Sequence, residues 1–503
     1  MQQRYLSGRK GILRKAGQSL SAAALVVLLS GGAYNVSYAN ESEILIPQIG
    51  TAGVMGISVQ KEMAIGDFFM RTARSNMNVL DDPVMSEYVT SLGNRLLAHA
   101  DGVNFPFEFF MVRNNTLNAS AFLGGKVAIN TGLFNYAKTE DEFASVIAHE
   151  ISHVTQRHIA RFVELATASS RLSTAGIIGA VAMSIINPAF GVAAMTTAVG
   201  AQMQSRINFT RDNEYEADRV GISLMYKAGL NPKGTVDLFR TMLSQQGNIN
   251  PAFTLLIDHP LNDIRLAEAQ NRVTQYERRN YSQNPDYDMA RARVAVRYSG
   301  VSGEQQLKTL KQALMQNGEH NSAVYQNYAL SLVCLELKQL DEARSYLTHL
   351  PSKLQNNIFV LDVKTDIDLK DGNSGAAIER LQQAYRYKPN NQAVVINLAY
   401  AYIESKQFAK AKDILDKYLR NKPNDALAVS LIEKAYSALN DKCSAMQSRA
   451  ELYAISGGYS QAIGMYNRSL QECTDRLTRE RIKARVSQIV IQRSFDEELI
   501  KGL

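Results

Sequence analysis

His149-Glu150-Ile151-Ser152-His153 sets two imidazoles four residues apart, with a carboxylate beside the first. Phe143, Val146, Ile147 and Val154 recur around it at helical spacing, so residues 141–157 are predicted to form a helix. Four residues advance an α-helix by about 400°, so both imidazoles leave one face about one turn apart. At that spacing two ring nitrogens can hold one Zn²⁺ at about 2.0–2.1 Å. Glu150 could then reach a water at an open coordination position without binding the metal itself. A pattern this short also occurs in helices that bind nothing, so the surrounding chain has to decide.

Residues 211–219, RDNEYEADR, also read as helix, and Glu214 and Asp218 share a face at i, i+4. A catalytic zinc takes three protein ligands and keeps one position open, and two His with one Glu is a known set. Glu214 can complete that set. Asp218, one turn on, can accept the outer N–H of a ligand histidine and fix its tautomer. Glu216 points about 200° away from Glu214 and is expected to be a solvated charge. His158 falls about 140° round the helix from His153 and is expected to face away from the metal. His259 ends a loop stiffened by Pro260. It could fill the fourth metal position and hold the site inactive, touch substrate, or cap a helix.

The elements that must position these groups come from two regions of different texture. Up to about residue 273 the chain mixes helical stretches with strand candidates at 107–112 and 118–134, a hairpin-like pair joined by Arg113-Asn114-Asn115. Gly124-Gly125 inside the second suits a close backbone approach. The polar, proline-containing stretch 277–285 reads as a linker. Beyond about residue 303, Ala343, Ala377, Ala411 and Ala445 recur every 34 residues. Leu347, Leu381 and Leu415 lie four residues after the first three, and Pro389 and Pro423 are again 34 apart. That period resembles the tetratricopeptide repeat (TPR), in which a small residue lets two helices cross closely and stacked pairs bury a continuous core. After Ala445 the spacing breaks, as terminal repeats often do.

A basic start with Arg4, Arg9, Lys10, Arg14 and Lys15, an apolar run, and Ser37-Tyr38-Ala39 have the layout of a secretory signal peptide over residues 1–39. Its loss would bring the formal charge from +7 to about +2, and no basic cluster points to nucleic acid. Residues 174–200 are nearly free of charge, and Pro188 cuts them into pieces too short to span a bilayer as one helix. They read as a buried helical hairpin or as a surface element with peripheral membrane contact. Cys443 starts one predicted helix and Cys473 ends the next, positions that adjoin in a helical hairpin. An exported chain permits oxidation, so these two are expected to form a disulfide, with Cys334 as a free buried thiol.

HEISH followed by E-x-x-x-D on a second helix resembles the HtpX-like and CAAX-prenyl-protease-like zincins. With the leader and the repeat tail, the chain is similar to periplasmic members of that family. The resemblance implies a mostly α fold: an α+β zincin domain over 40–275, a linker at 276–302 and an α-solenoid TPR domain over 303–503. It implies an endopeptidase with one Zn²⁺ per subunit, held by His149, His153 and Glu214, with Glu150 and Asp218 as the catalytic carboxylates. It implies an edge strand at Asn118, Ala119, Ser120, Ala121 and Phe122 that receives substrate as an added strand. Expected substrates are misfolded or stalled envelope proteins. Expected partners are the outer-membrane assembly machinery, bound through the repeat surface. A TPR chaperone or scaffold with secondary proteolysis is the alternative. An integral membrane protease of the prenyl type is disfavoured by the lack of spanning segments.

Overall fold

The computed structural model describes residues 58–162, 203–245, 255, 259–301, 303–316 and 322–501. The expected signal peptide and the apolar segment 174–200 lie outside them. The first region comprises α1 (Val59–Asn76), α2 (Pro83–Leu97), β1 (Glu108–Val112), β2 (Ala119–Phe122), β3 (Lys126–Asn130) and α3 (Leu133–Tyr136). It continues through α4 (Glu140–Thr155), α5 (Met203–Lys227), α6 (Lys233–Gln245) and α7 (Asp263–Val273).

The sheet has the order β1-β3-β2, with β1 parallel and β2 antiparallel to β3. This differs from the hairpin-like pair expected from the sequence. The segment that reads as one strand is two, because Gly124 and Gly125 both adopt positive φ, 71° and 72°, and reverse the chain between β2 and β3. Side chains are excluded there by space as well. A Cβ on Gly124 would lie 2.7 Å from the Glu62 carbonyl oxygen, and one on α1 at Gly66 would lie 2.4 Å from that of Leu123. The turn is therefore wedged against α1, and β2 is left at the sheet's edge.

Thr139 caps α4 by accepting from the Glu142 amide, and Glu142 in turn accepts from the Lys138 amide. Three acidic residues fill the first turn, where the helix dipole favours them. Phe143, Ala144, Ile147 and Ile151 are buried, so α4 runs through the core with its histidines on the opposite side.

The stretch expected as a linker contains α8 (Pro285–Arg297), which is deeply buried. Residues 274–284 before it and 298–301 after it are without helix. Tyr287 on α8 donates to the Ala137 carbonyl and joins an aromatic cluster with Phe134 and Phe143. Arg293 on α8 bridges Asp82 at the start of α2 and Asp362 in the second region, with all three side chains buried. One apolar core runs from α2 through the sheet into the first repeats.

The second region is helical throughout: α9 (Glu304–Gln316), α10 (Ala323–Glu336), α11 (Leu340–Thr348), α12 (Ile358–Lys370) and α13 (Ser374–Tyr387). Then come α14 (Gln392–Glu404), α15 (Phe408–Asn421), α16 (Ala426–Ala438), α17 (Lys442–Ile455), α18 (Tyr459–Glu472) and α19 (Arg476–Lys501). The periodic alanines sit on α11, α13, α15 and α17, and all four are buried. Cys443 on α17 and Cys473 after α18 are joined by a disulfide, Cα atoms 5.1 Å apart, and Cys334 is free and buried. The helical array curls back on the first region. Asp496 on α19 makes a two-pronged ion pair with Arg71 on α1 and accepts from Tyr459, while Leu499 packs with Ile65, Leu123 and Ala160.

Candidate metal centre

α4 carries His149, Glu150 and His153, and α5 carries Glu214 and Asp218. The face of α5 toward α4 reads Glu214, Ala217, Asp218, Gly221, the i, i+3, i+4, i+7 stripe of a helix. Ala217 is fully buried, and a Cβ on Gly221 would come within 3.2 Å of the His149 amide nitrogen. These small residues let the two helices cross closely, which sets Glu214 against both imidazoles.

One ligand atom each from His149, His153, Glu214 and His259 lies within 4.8 Å of the others. His149 Nε2 is 3.0 Å from His153 Nε2, and Glu214 oxygens stand 3.5 Å from each. Ligands at about 2.0–2.1 Å from a tetrahedral ion are about 3.3 Å apart, so the spacing fits a four-coordinate metal. The chemistry agrees. Glu150 Oε1 is buried without a hydrogen-bond partner, a condition that proteins rarely tolerate without an ion or water to relieve it. Glu150 Oε2 accepts from the Ala121 amide of β2 at 2.8 Å, so strand and helix hold each other in register.

His259 comes over the site from the loop before α7. Its Nδ1 is 2.9 Å from Glu214 Oε1 and 3.4 Å from His149 Nε2, and its Nε2 is 3.4 Å from Glu150 Oε1. The same segment is anchored on the edge strand's flank, where the Leu255 amide donates to the Leu117 carbonyl.

The carboxylates of Glu214 and Asp218 draw positive charge into the site. Burial works against charge on His149, yet hydrogen bonds to Asp218 and Glu214 outweigh it and lift the imidazole to about 10. Burial, reinforced by the neighbouring His149 and His259, pushes His153 well down and keeps it neutral, the form that ligates metals. Burial also raises Glu150, against the pull of His259 and His149. Glu214 is buried too, but His259 and His149 hold it well below the usual carboxylate range.

Asp218 lies 2.9 Å from His149 Nδ1 and is gripped by both arms of Arg265, at 2.7 and 2.8 Å. Sequence reasoning missed Arg265. Its only signal is indirect: a buried aspartate beside a ligand calls for a counter-charge, and Arg265 stands in the first turn of a helix capped by Asn262.

Two expectations are corrected here. His158 does not face away: its Nδ1 is 2.9 Å from His153 Nδ1. An unbroken helix would turn it outward, but α4 ends at Thr155 and Arg157 takes a φ of 55°, which swings His158 back against His153. Glu216 is not merely solvated either. It lies 3.1 Å from His158 Nε2 and accepts from Arg161 at 2.8 Å.

Comparisons with known proteins agree with this geometry. Residues 83–273 match the model of peptidase family M48, and residues 368–435 match a tetratricopeptide repeat. The chain is 35% identical over 468 residues to the β-barrel assembly-enhancing protease of Escherichia coli K12, covering 93% of this chain and 95% of that one. The corresponding protein of Yersinia pestis is 34% identical, covering 88% and 91%. A putative β-barrel assembly-enhancing protease of Vibrio cholerae is 35% identical, covering 90% and 94%. The likeness thus runs along nearly the whole chain, through the peptidase region and the repeat array alike. The chain belongs to the β-barrel assembly-enhancing proteases of the M48 metallopeptidase family.

Proposed function

We propose that this metalloendopeptidase is a zinc enzyme of the periplasm that cleaves misfolded or stalled outer-membrane proteins. The convergence of His149, His153 and Glu214 beside a Glu150 oxygen that makes no hydrogen bond carries the reading. Bound zinc would supply Lewis acidity, polarising a peptide carbonyl and acidifying a water. Glu150 is the general base. Its Oε1 takes the proton from the attacking water while the Ala121 amide fixes Oε2, and it then returns the proton to the leaving amine. Asp218, oriented by Arg265, keeps the proton of His149 on Nδ1 so that Nε2 is free to ligate.

The substrate enters as a strand beside β2. The Asn130 amide donates to the Asn118 carbonyl, so Asn118, Ser120 and Phe122 bond toward β3, while Ala119 and the carbonyl of Ala121 turn outward, the Ala121 amide being held by Glu150. Main-chain pairing of this kind accepts many unfolded sequences, as a quality-control enzyme requires. His259 lies where an incoming peptide carbonyl or water would bind, and it holds the resting site closed. The repeat surface presents substrates and binds outer-membrane assembly partners. No helix among the described residues is long and apolar enough to cross a membrane. Contact of residues 174–200 with a membrane surface is a further part of the proposal. The deciding experiment is metal analysis with digestion of an unfolded protein such as casein. One zinc per chain, with cleavage that Glu150→Gln abolishes, is expected; cleavage by a metal-free preparation would overturn the reading.

A further inference from the structure

We infer that His158 and Glu216 are positioning residues for the metal, acting through His153. This rests on the metal-site reading above and extends it to a second support. His153 turns Nε2 toward the cluster and Nδ1 toward His158 Nδ1 at 2.9 Å. His158 places its other nitrogen 3.1 Å from Glu216 Oε2, which Arg161 also holds, at 2.8 Å.

With both imidazoles neutral, only one distribution of protons satisfies this line. Glu216 is a carboxylate and can only accept, so His158 carries its proton on Nε2. His158 Nδ1 is then an acceptor, and His153 must carry its own proton on Nδ1 to donate to it. That leaves the Nε2 lone pair of His153 directed into the cluster, which is the tautomer a metal needs. The other histidine is supported in a parallel way, with Arg265 holding Asp218 and Asp218 holding His149. On the His153 side an extra imidazole spans the longer gap.

An ordinary buried histidine would explain less. His158 is 3% exposed, and the chain adopts a left-handed conformation at the non-glycine residue Arg157 to bring it there. Such a conformation is uncommon for a residue with a side chain and is retained where surrounding contacts demand it. Here the Arg157 guanidinium pairs with Glu62 on α1, which holds that conformation in place.

The test is zinc affinity of the full-length protein, stripped of metal and titrated against a competing chelator. His158→Phe fills a comparable space and removes both hydrogen bonds. It should weaken zinc binding by about 10–100-fold, the usual effect of removing an outer partner of a ligand histidine. His158→Gln offers an amide oxygen to His153 and an amide N–H to Glu216, and it should restore most of the affinity. Glu216→Ala, at a half-exposed surface position, should weaken binding with little change in apo-protein melting. The visible spectrum of the Co²⁺-substituted protein should shift in His158→Phe and return toward wild type in His158→Gln. If His158→Phe fails to fold, Glu216→Ala and His158→Gln still decide. Affinities within twofold of wild type for a folded His158→Phe, or for Glu216→Ala, would overturn the inference. Glu214→Ala is the control: if it loses zinc and these variants do not, only this inference fails. If Glu214→Ala also keeps its zinc, the metal-site reading itself falls.

Discussion

His259 and Glu150 answer to different experiments although their side chains lie 3.4 Å apart. His259→Ala removes the group lying over the ligands, so cleavage of an unfolded substrate by this variant should rise several-fold; a fall would show that His259 serves substrate instead. Glu150→Gln keeps every ligand and should keep about one zinc per chain while cutting turnover by at least about 10²-fold, the usual contribution of a general base. Glu214→Ala should lose metal, read as zinc content after dialysis. The convergence of His149, His153 and Glu214 was legible in the sequence because i, i+4 spacing on a helix fixes a shared face whatever the fold around it. Arg265, His158 and Glu216 were not, for separate reasons. Arg265 reaches Asp218 from a helix that only tertiary packing brings near. His158 depends on where α4 stops, and helix ends are the least predictable feature of a helix.

At the scale of elements, the crossing of α4 and α5 is set by Gly221 and Ala217, and the edge position of β2 by Gly124 and Gly125. Gly221→Val should force the helices apart, because the backbone of Ala148 and His149 cannot swing aside as a side chain can. Overpacking of this kind costs about 1–3 kcal/mol. It should appear as a lower melting temperature together with weaker zinc binding, since Glu214 rides on the displaced helix. An unchanged zinc affinity would show that the crossing tolerates a Cβ there. The double glycine was noticed in the sequence as a site of close approach, yet its turn was not, because alternation continues on both sides of it. The parallel pairing of β1 with β3 has no local signal at all. It follows from α1 and the turn at 123–125 packing against each other, a contact between residues distant in sequence. The repeat helices were easier, since a 34-residue period repeats the same local rule many times.

At the scale of the molecule, the two regions are locked by Arg293 between Asp82 and Asp362. Burial raises Asp362, aided by the nearby Asp366 and Asp82, and Arg293 does not fully offset it. A carboxyl whose folded value lies above its unfolded one contributes stability at low pH and loses it as pH rises through the folded value. The melting-temperature advantage of the wild type over Asp362→Asn should therefore shrink as pH rises above the ordinary aspartate range, and a widening gap would show that the aspartate is ionised without cost. The return of α19 to α1 has a consequence in time. Arg71 and Asp496 are 425 residues apart, so the protease half cannot complete this contact until nearly all of the chain has been made. Loops of that length close slowly, and synthesis delivers the amino-terminal partner first. Until the carboxy-terminal helix arrives, the surface of Ile65, Leu123 and Ala160 stays uncovered beside the strand proposed to receive substrate.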